Sequence, residues 1–307
     1  MTTKMTELAG VLPVFQTPYH DDGSIDAVTL EREIDWLFDQ GSDGIVMAMV
    51  SEILRLDEQE RRELAELACK FARGRGAVVI SVGAESTSTA IKLARHAAQA
   101  GATALMAIPP VSIAPLEDEL FAYYEQIVLA TDLPVVVQDA SGYVGRPMSI
   151  SFQANLLDLF GPEKILFKPE ATPIGPRLSQ LRDATGHRGR IFEGTGGIAL
   201  VDSYRRGIVG TMPGADLIQG IVALWRALQA GDDQRAYQLS LPISSIIALQ
   251  NSLDAFLAIE KYLLVKQGIF QNTIVRGPTG FRLDLETQLE IDRLFRQLQR
   301  QLDHSAI

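Results

Sequence analysis

Residues 165–172 read ILFKPEAT, and the two groups there able to do chemistry are Lys168 and Glu170. An unprotonated lysine amine attacks ketones, and a carboxylate beside it can take up or return the proton. Ile165, Leu166 and Phe167 are strand formers. Proline cannot donate to a sheet ladder, so Pro169 should end the strand at or just after Lys168. Side chains alternate faces along a strand, so Lys168 and Glu170 share a face if the extended conformation persists through Pro169. Taken alone, such a pair is most simply a solvated ion pair of little energetic consequence. The elements that position it decide whether it is more.

A β/α alternation runs from about residue 11 for some two hundred residues. Apolar runs at 11–18, 44–50, 77–83, 104–110, 134–140, 165–168, 190–195 and 207–212 read as eight strands. A helical pattern follows each. Asp26 is placed to N-cap the first, Asp57 with Glu60 has the spacing of a capping box, and a third helix is capped around Thr87 and ended by Gly101. The remaining segments between strands carry helices over 116–130, 149–159, around Leu178 and Leu181, and 198–205. Near-continuous apolar strands suit a parallel sheet buried on both faces. Eight such units predict an α/β fold, a (β/α)8 TIM barrel. The rival, an open doubly wound sheet, wants a Gly-rich phosphate turn after its first strand, and FQTPYHDDGS offers none. From Leu217 the alternation gives way to helices over 217–230, 232–250, 252–267 and 285–303. The chain therefore divides into a barrel core, 1–215, and the last barrel helix with a C-terminal helical extension, 216–307.

Barrels gather reactive groups at the C-terminal ends of their strands. Here those ends supply Thr17, Tyr19, Ser51, Glu52, Pro109, Pro110, Gln138, Asp139, Lys168, Glu170, Glu193 and Met212, with Tyr143 and Thr195 just beyond. Lys168 is the lysine among them, ringed by acids and amides, which is what Schiff-base chemistry needs. Its amine must be neutral to attack, so the ordinary affinity (pKa ~10.4) must drop by roughly three units, ~4 kcal/mol. Burial against an apolar wall such as Phe167 pushes that way, and an ionised Glu170 pushes back. A carboxylate-only magnesium site from Glu52, Asp139 and Glu193 is the alternative. The four histidines, His20, His96, His187 and His304, show no metal-binding spacing, and no G-x-S-x-G nucleophile elbow occurs. No metal and no cofactor are called for.

The 307 residues are ample for a large core, and a net charge of −10 argues against nucleic-acid or anionic-membrane partners. Cys69, the single cysteine, falls on the apolar side of a helix and reads as an inert thiol. MTTKMTELAG lacks a signal-peptide core and no run of 18 apolar residues occurs, so a cytoplasmic location is expected.

Several segments together resemble the dihydrodipicolinate synthase / N-acetylneuraminate lyase superfamily. They are GVLPVFQTPYHDDGSID, GSDGIV, Glu52 to Leu56 as E-x-x-x-L, LPVVV, the sixth-strand lysine before EAT, and IVRGPTGF. The resemblance spans nearly the whole chain. It implies a barrel with a C-terminal helical extension, a homo-oligomer (tetramer or dimer), and an imine between Lys168 and a small-molecule 2-oxo acid such as pyruvate. The departures are informative. Where the synthase has Gly-Thr-Thr-Gly-Glu this chain has AMVSE (48–52), and Gln138 stands at the fifth-strand tyrosine. Tyr143 replaces the arginine that holds a substrate carboxylate, IPPVS (108–112) replaces the strand-four tyrosine segment, and K-P-E replaces K-E. Gln-Asp-Ala with K-x-E is similar instead to the 2-keto-3-deoxyarabonate-type dehydratases. The resemblance therefore implies dehydration, or retro-aldol cleavage, of a 2-keto-3-deoxy sugar acid. Ser51, Gln138, Tyr143 and Thr195 are expected to recognise hydroxyls, with Glu52 and Glu193 beside them. A 4-hydroxy-tetrahydrodipicolinate synthase or other pyruvate-dependent aldolase, a metal-dependent lyase, and a family member without catalysis that keeps a binding role are the alternatives.

Overall fold

The structure is a computed structural model and describes residues 8–303. His304 and residues 1–7 of the N-terminal stretch read above lie outside the described residues. Eight parallel strands form the sheet: β1 (Gly10–Val11), β2 (Gly44–Met47), β3 (Ala77–Ser81), β4 (Ala104–Ala107), β5 (Val135–Asp139), β6 (Ile165–Pro169), β7 (Arg190–Glu193) and β8 (Gly210–Thr211). Consecutive strands are neighbours from β2 to β8, and β8 pairs with β1. Val14 closes the ring through single bridges to Val46 and Gly214. The architecture is a (β/α)8 barrel, nearly closed. β1 is far shorter than the expected run over 11–18 because Pro13 has no N–H to give; its carbonyl accepts from Val46 N at 2.9 Å and Phe15 N reaches Val46 O at 3.1 Å.

The strand residues sort by alternation into two cores. Leu12, Val14, Val46, Val79, Met106, Val136, Leu166 and Phe192 fill the barrel interior. Their neighbours Ile45, Val78, Leu105, Val137, Phe167 and Ile191 face the helices. Both sides are apolar, which is why the strands read as unbroken hydrophobic runs.

Helices follow in alternation: α1 (Ala27–Asp39), α2 (Glu58–Ala72), α3 (Thr87–Ala100), α4 (Glu117–Leu129), α5 (Ile150–Phe160), α6 (Ile174–Ala184), α7 (Leu200–Arg205) and α8 (Ile218–Gln229). Asp26 caps α1 through Val28 N and Thr29 N, and Asp57 and Glu60 exchange both bonds of a capping box. Such caps stabilise by ~1 kcal/mol each. The cap of α3, expected around Thr87, is Ser86, whose hydroxyl accepts from Thr89 N at 3.2 Å. α9 (Asp233–Ile247), α10 (Leu253–Lys266) and α11 (Leu285–Asp303) form the extension. α9 and α11 pack on α8, while α10 lies over the 3-10 turn Met49–Ser51 that follows β2. Among the described residues no helix is long and apolar enough to cross a membrane.

Candidate active site

The register of β5 on β6 places Gln138 opposite Lys168 and Asp139 opposite Pro169. Parallel partners face the same way, and Leu166 points into the barrel, so Lys168 and Gln138 also point inward. Pro169 does not break the extension, since Glu170 N still donates to Asp139 O at 2.9 Å. Glu170 therefore returns to the face of Lys168, and Lys168 Nζ lies 2.9 Å from Glu170 Oε1. The other carboxyl oxygen accepts from Gln138 Nε2 at 2.7 Å. With side chains only 4% and 2% exposed, Lys168 and Glu170 are not a solvated ion pair. Desolvation raises the Glu170 carboxyl's affinity for a proton, against the pull of Lys168. A carboxyl tuned upward and touching the amine is a suitable acceptor for the proton that an attacking lysine must lose. Phe167 takes no part as a wall, because it faces the helices on the opposite side of the sheet.

The pair opens into a cavity of about 390 Å³ of atom-free space, part of it continuous with solvent. Val14, Met49, Met212, Leu253 and Phe256 supply apolar walls, and Gln138, Tyr143, Lys168, Glu170 and Glu260 the polar groups. Tyr143 packs edge-on against Phe256 with ring centroids 5.6 Å apart. Burial raises its phenol far above the usual range, so the hydroxyl remains a donor. Gly194 is required by close approach: a β-carbon there would sit 2.7 Å from Lys168 Cε and 2.9 Å from Glu170 Cγ.

The other expected site residues are placed elsewhere. Ser51 Oγ donates to Phe15 O at 2.5 Å and accepts from Ala48 N, which pins the 3-10 turn. Glu52, in the left-handed region at φ 59°, pairs with Lys261 Nζ at 2.5 Å and accepts from Arg276 N. Glu193 caps its own turn through Thr195 N and the Thr195 hydroxyl, and takes Thr211 Oγ1 at 2.6 Å. None of these four residues lines the cavity. Asp139 binds the backbone of Ser141 and Met148 outside the barrel. Glu52, Asp139 and Glu193 are thus held apart by separate partners. Among the described residues no group of three or more metal-ligating side chains is placed to hold an ion.

Two features escaped the sequence reading. Lys261, fully buried on α10, donates to the carbonyls of Thr17 and Ile274 at 2.8 and 2.6 Å as well as to Glu52, and lies over the ring of Tyr19. Glu260, its neighbour, enters the cavity itself. The signal was present in LDAFLAIEKYLLVK, where two adjacent charges interrupt the apolar middle of a helix whose other charges, Asp254 and Lys266, sit in its end turns.

Residues 7–298 match the family described as the Dihydrodipicolinate synthetase family. The chain belongs to that family. It is accordingly an enzyme, a lyase of class I. An L-2-keto-3-deoxyarabonate dehydratase of Azospirillum brasilense is 28% identical over 297 residues, covering 94% of each chain. A 4-hydroxy-tetrahydrodipicolinate synthase of Bartonella bacilliformis is 26% identical over 272 residues, 87% of this chain and 90% of the relative. The crystal structure of a dihydrodipicolinate synthase from Rhodopseudomonas palustris superposes with a TM-score of 0.85 at 27% identity, over 94% of this chain and 97% of the other. Relatives of both names thus stand at similar distance, and membership in the Dihydrodipicolinate synthetase family does not by itself fix the substrate.

Proposed function

We propose that this member of the family forms a Schiff base through Lys168 with a 2-oxo acid and dehydrates a 2-keto-3-deoxy sugar acid. The observation that carries the reading is the buried Lys168–Glu170–Gln138 constellation facing the cavity. Lys168 loses its proton to Glu170 and adds to the C2 ketone. Glu170 returns that proton to the carbinolamine hydroxyl, which leaves as water. The protonated imine then makes the C3 proton removable, and the Glu170 carboxylate so regenerated, within reach of the same nitrogen, takes it. Gln138 and the Tyr143 hydroxyl bind substrate oxygens. Dehydration is favoured over synthase chemistry by the lining, which contains no arginine to hold a second carboxylate bidentately. Gln138 also has no proton to relay near neutral pH. Retro-aldol cleavage is the second reading, since it uses the same imine. A homo-oligomer and a cytoplasmic location belong to the same proposal.

The test has two parts. Borohydride is added with pyruvate or a 2-keto-3-deoxy pentonate, and the intact mass is measured. The expected result is one reduced adduct, absent in Lys168→Ala. Turnover is then compared between 2-keto-3-deoxy pentonates and hexonates and the pair pyruvate plus aspartate semialdehyde. Faster consumption of the semialdehyde pair would overturn the dehydratase reading while leaving the imine standing.

A further inference from the structure

Glu260 is 1% exposed, yet it shares the cavity with Lys168, Glu170 and Tyr143. Its Oε2 accepts from the Gln16 side-chain amide, and among the described residues Oε1 has no protein hydrogen bond. The carboxyl rests on Gly214, where any β-carbon would overlap it. Around it stand Glu33 from α1, Asp216 from the β8–α8 loop, and the amides of Gln16 and Gln250, all buried. Lys261 is the cation nearby, and Glu52 already neutralises it. Three buried carboxyls without a cation of their own cannot all ionise. Burial first, then Asp216, push Glu260 well above the ordinary carboxylate range. The two acids of the cavity therefore differ in their partners. Glu170 is bound to the amine, whereas Glu260 has only an amide on one oxygen, is pushed towards its protonated form by burial, and has an oxygen to spare.

We propose that Glu260 is the general acid that protonates the departing C4 hydroxyl. This deepens the dehydratase reading and rests on it. With the imine formed at C2, the C3–H bond breaks, its proton passes to the Glu170 carboxylate, and its electrons form the C2–C3 double bond of an enamine. The C2–C3 double-bond electrons then shift to form the C3–C4 double bond as the C4–O bond breaks, the nitrogen lone pair restores the iminium at C2, and the leaving oxygen takes the Glu260 proton and departs as water. Hydrolysis of the iminium frees Lys168 and an unsaturated 2-oxo acid. Glu170 has gained one proton and Glu260 has lost one, so a single transfer between them or through solvent resets the site.

The experiment uses Glu260→Gln, which keeps the shape and can still accept from Gln16 but carries no acid proton. The expected result is borohydride trapping of the 2-keto-3-deoxy substrate as in the wild type, with dehydration slowed by about 10²–10⁴-fold. The wild type is expected to lose kcat on the alkaline side as Glu260 ionises, and that loss should be absent in the variant. On the 4-chloro analogue, whose leaving group needs no proton, variant and wild type should eliminate at similar rates. Equal slowing on both substrates would make Glu260 a positioning residue and overturn the proposal, as would undiminished dehydration. If Glu260→Gln does not fold, Gly214→Ala displaces the same carboxyl and is judged by the same comparison. A wild type that forms no adduct, or dehydrates none of these acids, refutes the underlying reading rather than the role of Glu260 within it.

Discussion

At the scale of single residues, the site depends on one glycine as much as on its lysine. The backbone of Gly194 passes so close to Lys168 and Glu170 that a methyl group would lie 2.7–2.9 Å from their side-chain carbons. Neither side chain can yield freely, since Glu170 is tied to both Lys168 and Gln138. Gly194→Ala should therefore push the amine away from its proton acceptor and lower kcat by ~10²-fold, the order of loss expected when reacting groups are misplaced by an ångström. Borohydride trapping should slow in parallel, because the defect precedes the imine. Normal trapping with the variant would show that the pair tolerates the methyl.

At the scale of elements, α10 is what joins the extension to the barrel mouth. Lys261 crosslinks the segment after β1, the turn after β2 and the chain near Ile274 through one ammonium group. Lys261→Met would fill the space but strand Glu52 as a buried charge. Breaking such a pair by removing one partner costs ~3–5 kcal/mol. The denaturant midpoint should drop accordingly, and Glu52→Gln introduced into the Lys261→Met background should recover part of it. An unchanged midpoint in the single variant would mean that solvent reaches Glu52. The barrel was legible in the sequence because its strands are apolar on both faces and their helices carry recognisable caps, as at Asp26 and Asp57. The Lys168–Glu170 pairing was legible too, because two residues apart on a strand fixes a shared face. What was not legible was commitment. Ser51, Glu52, Glu193 and Thr195 sit at strand ends as expected, but their hydrogen bonds go to backbone, to each other or to Lys261, and those partners are remote in sequence. Glu260 lies 92 residues from Lys168, and only the fold of α10 over the mouth brings it in.

At the scale of the whole molecule, the buried acids beside the cavity tie stability to pH. Glu33 is fully buried on α1; Gln16 N donates to its Oε1 at 2.8 Å, while its Oε2 has no partner among the described residues. Lys261 favours its ionised form and Glu260 faces the same cluster, but burial dominates and raises its pKa from 4.5 to about 8. Asp216 and Glu260 shift in the same direction. For a group whose folded pKa is raised, the folded state holds the proton after the unfolded chain has released it. The associated stability is fully present below about pH 4.5 and is lost as pH rises through about 8. Within that window each such group removes up to about 1.4 kcal/mol per pH unit. The carboxylates with lowered values, Asp26 and Asp254 among them, act at more acidic pH than this window. The denaturant midpoint of the wild type should therefore fall steadily from pH 5 to pH 8. Glu33→Gln keeps an acceptor for Gln16 N and has nothing to ionise, so its midpoint should fall less steeply and overtake the wild type towards pH 8. Parallel midpoint curves for the two proteins would mean that Glu33 is solvated in the native state and exchanges its proton near the usual carboxylate pH.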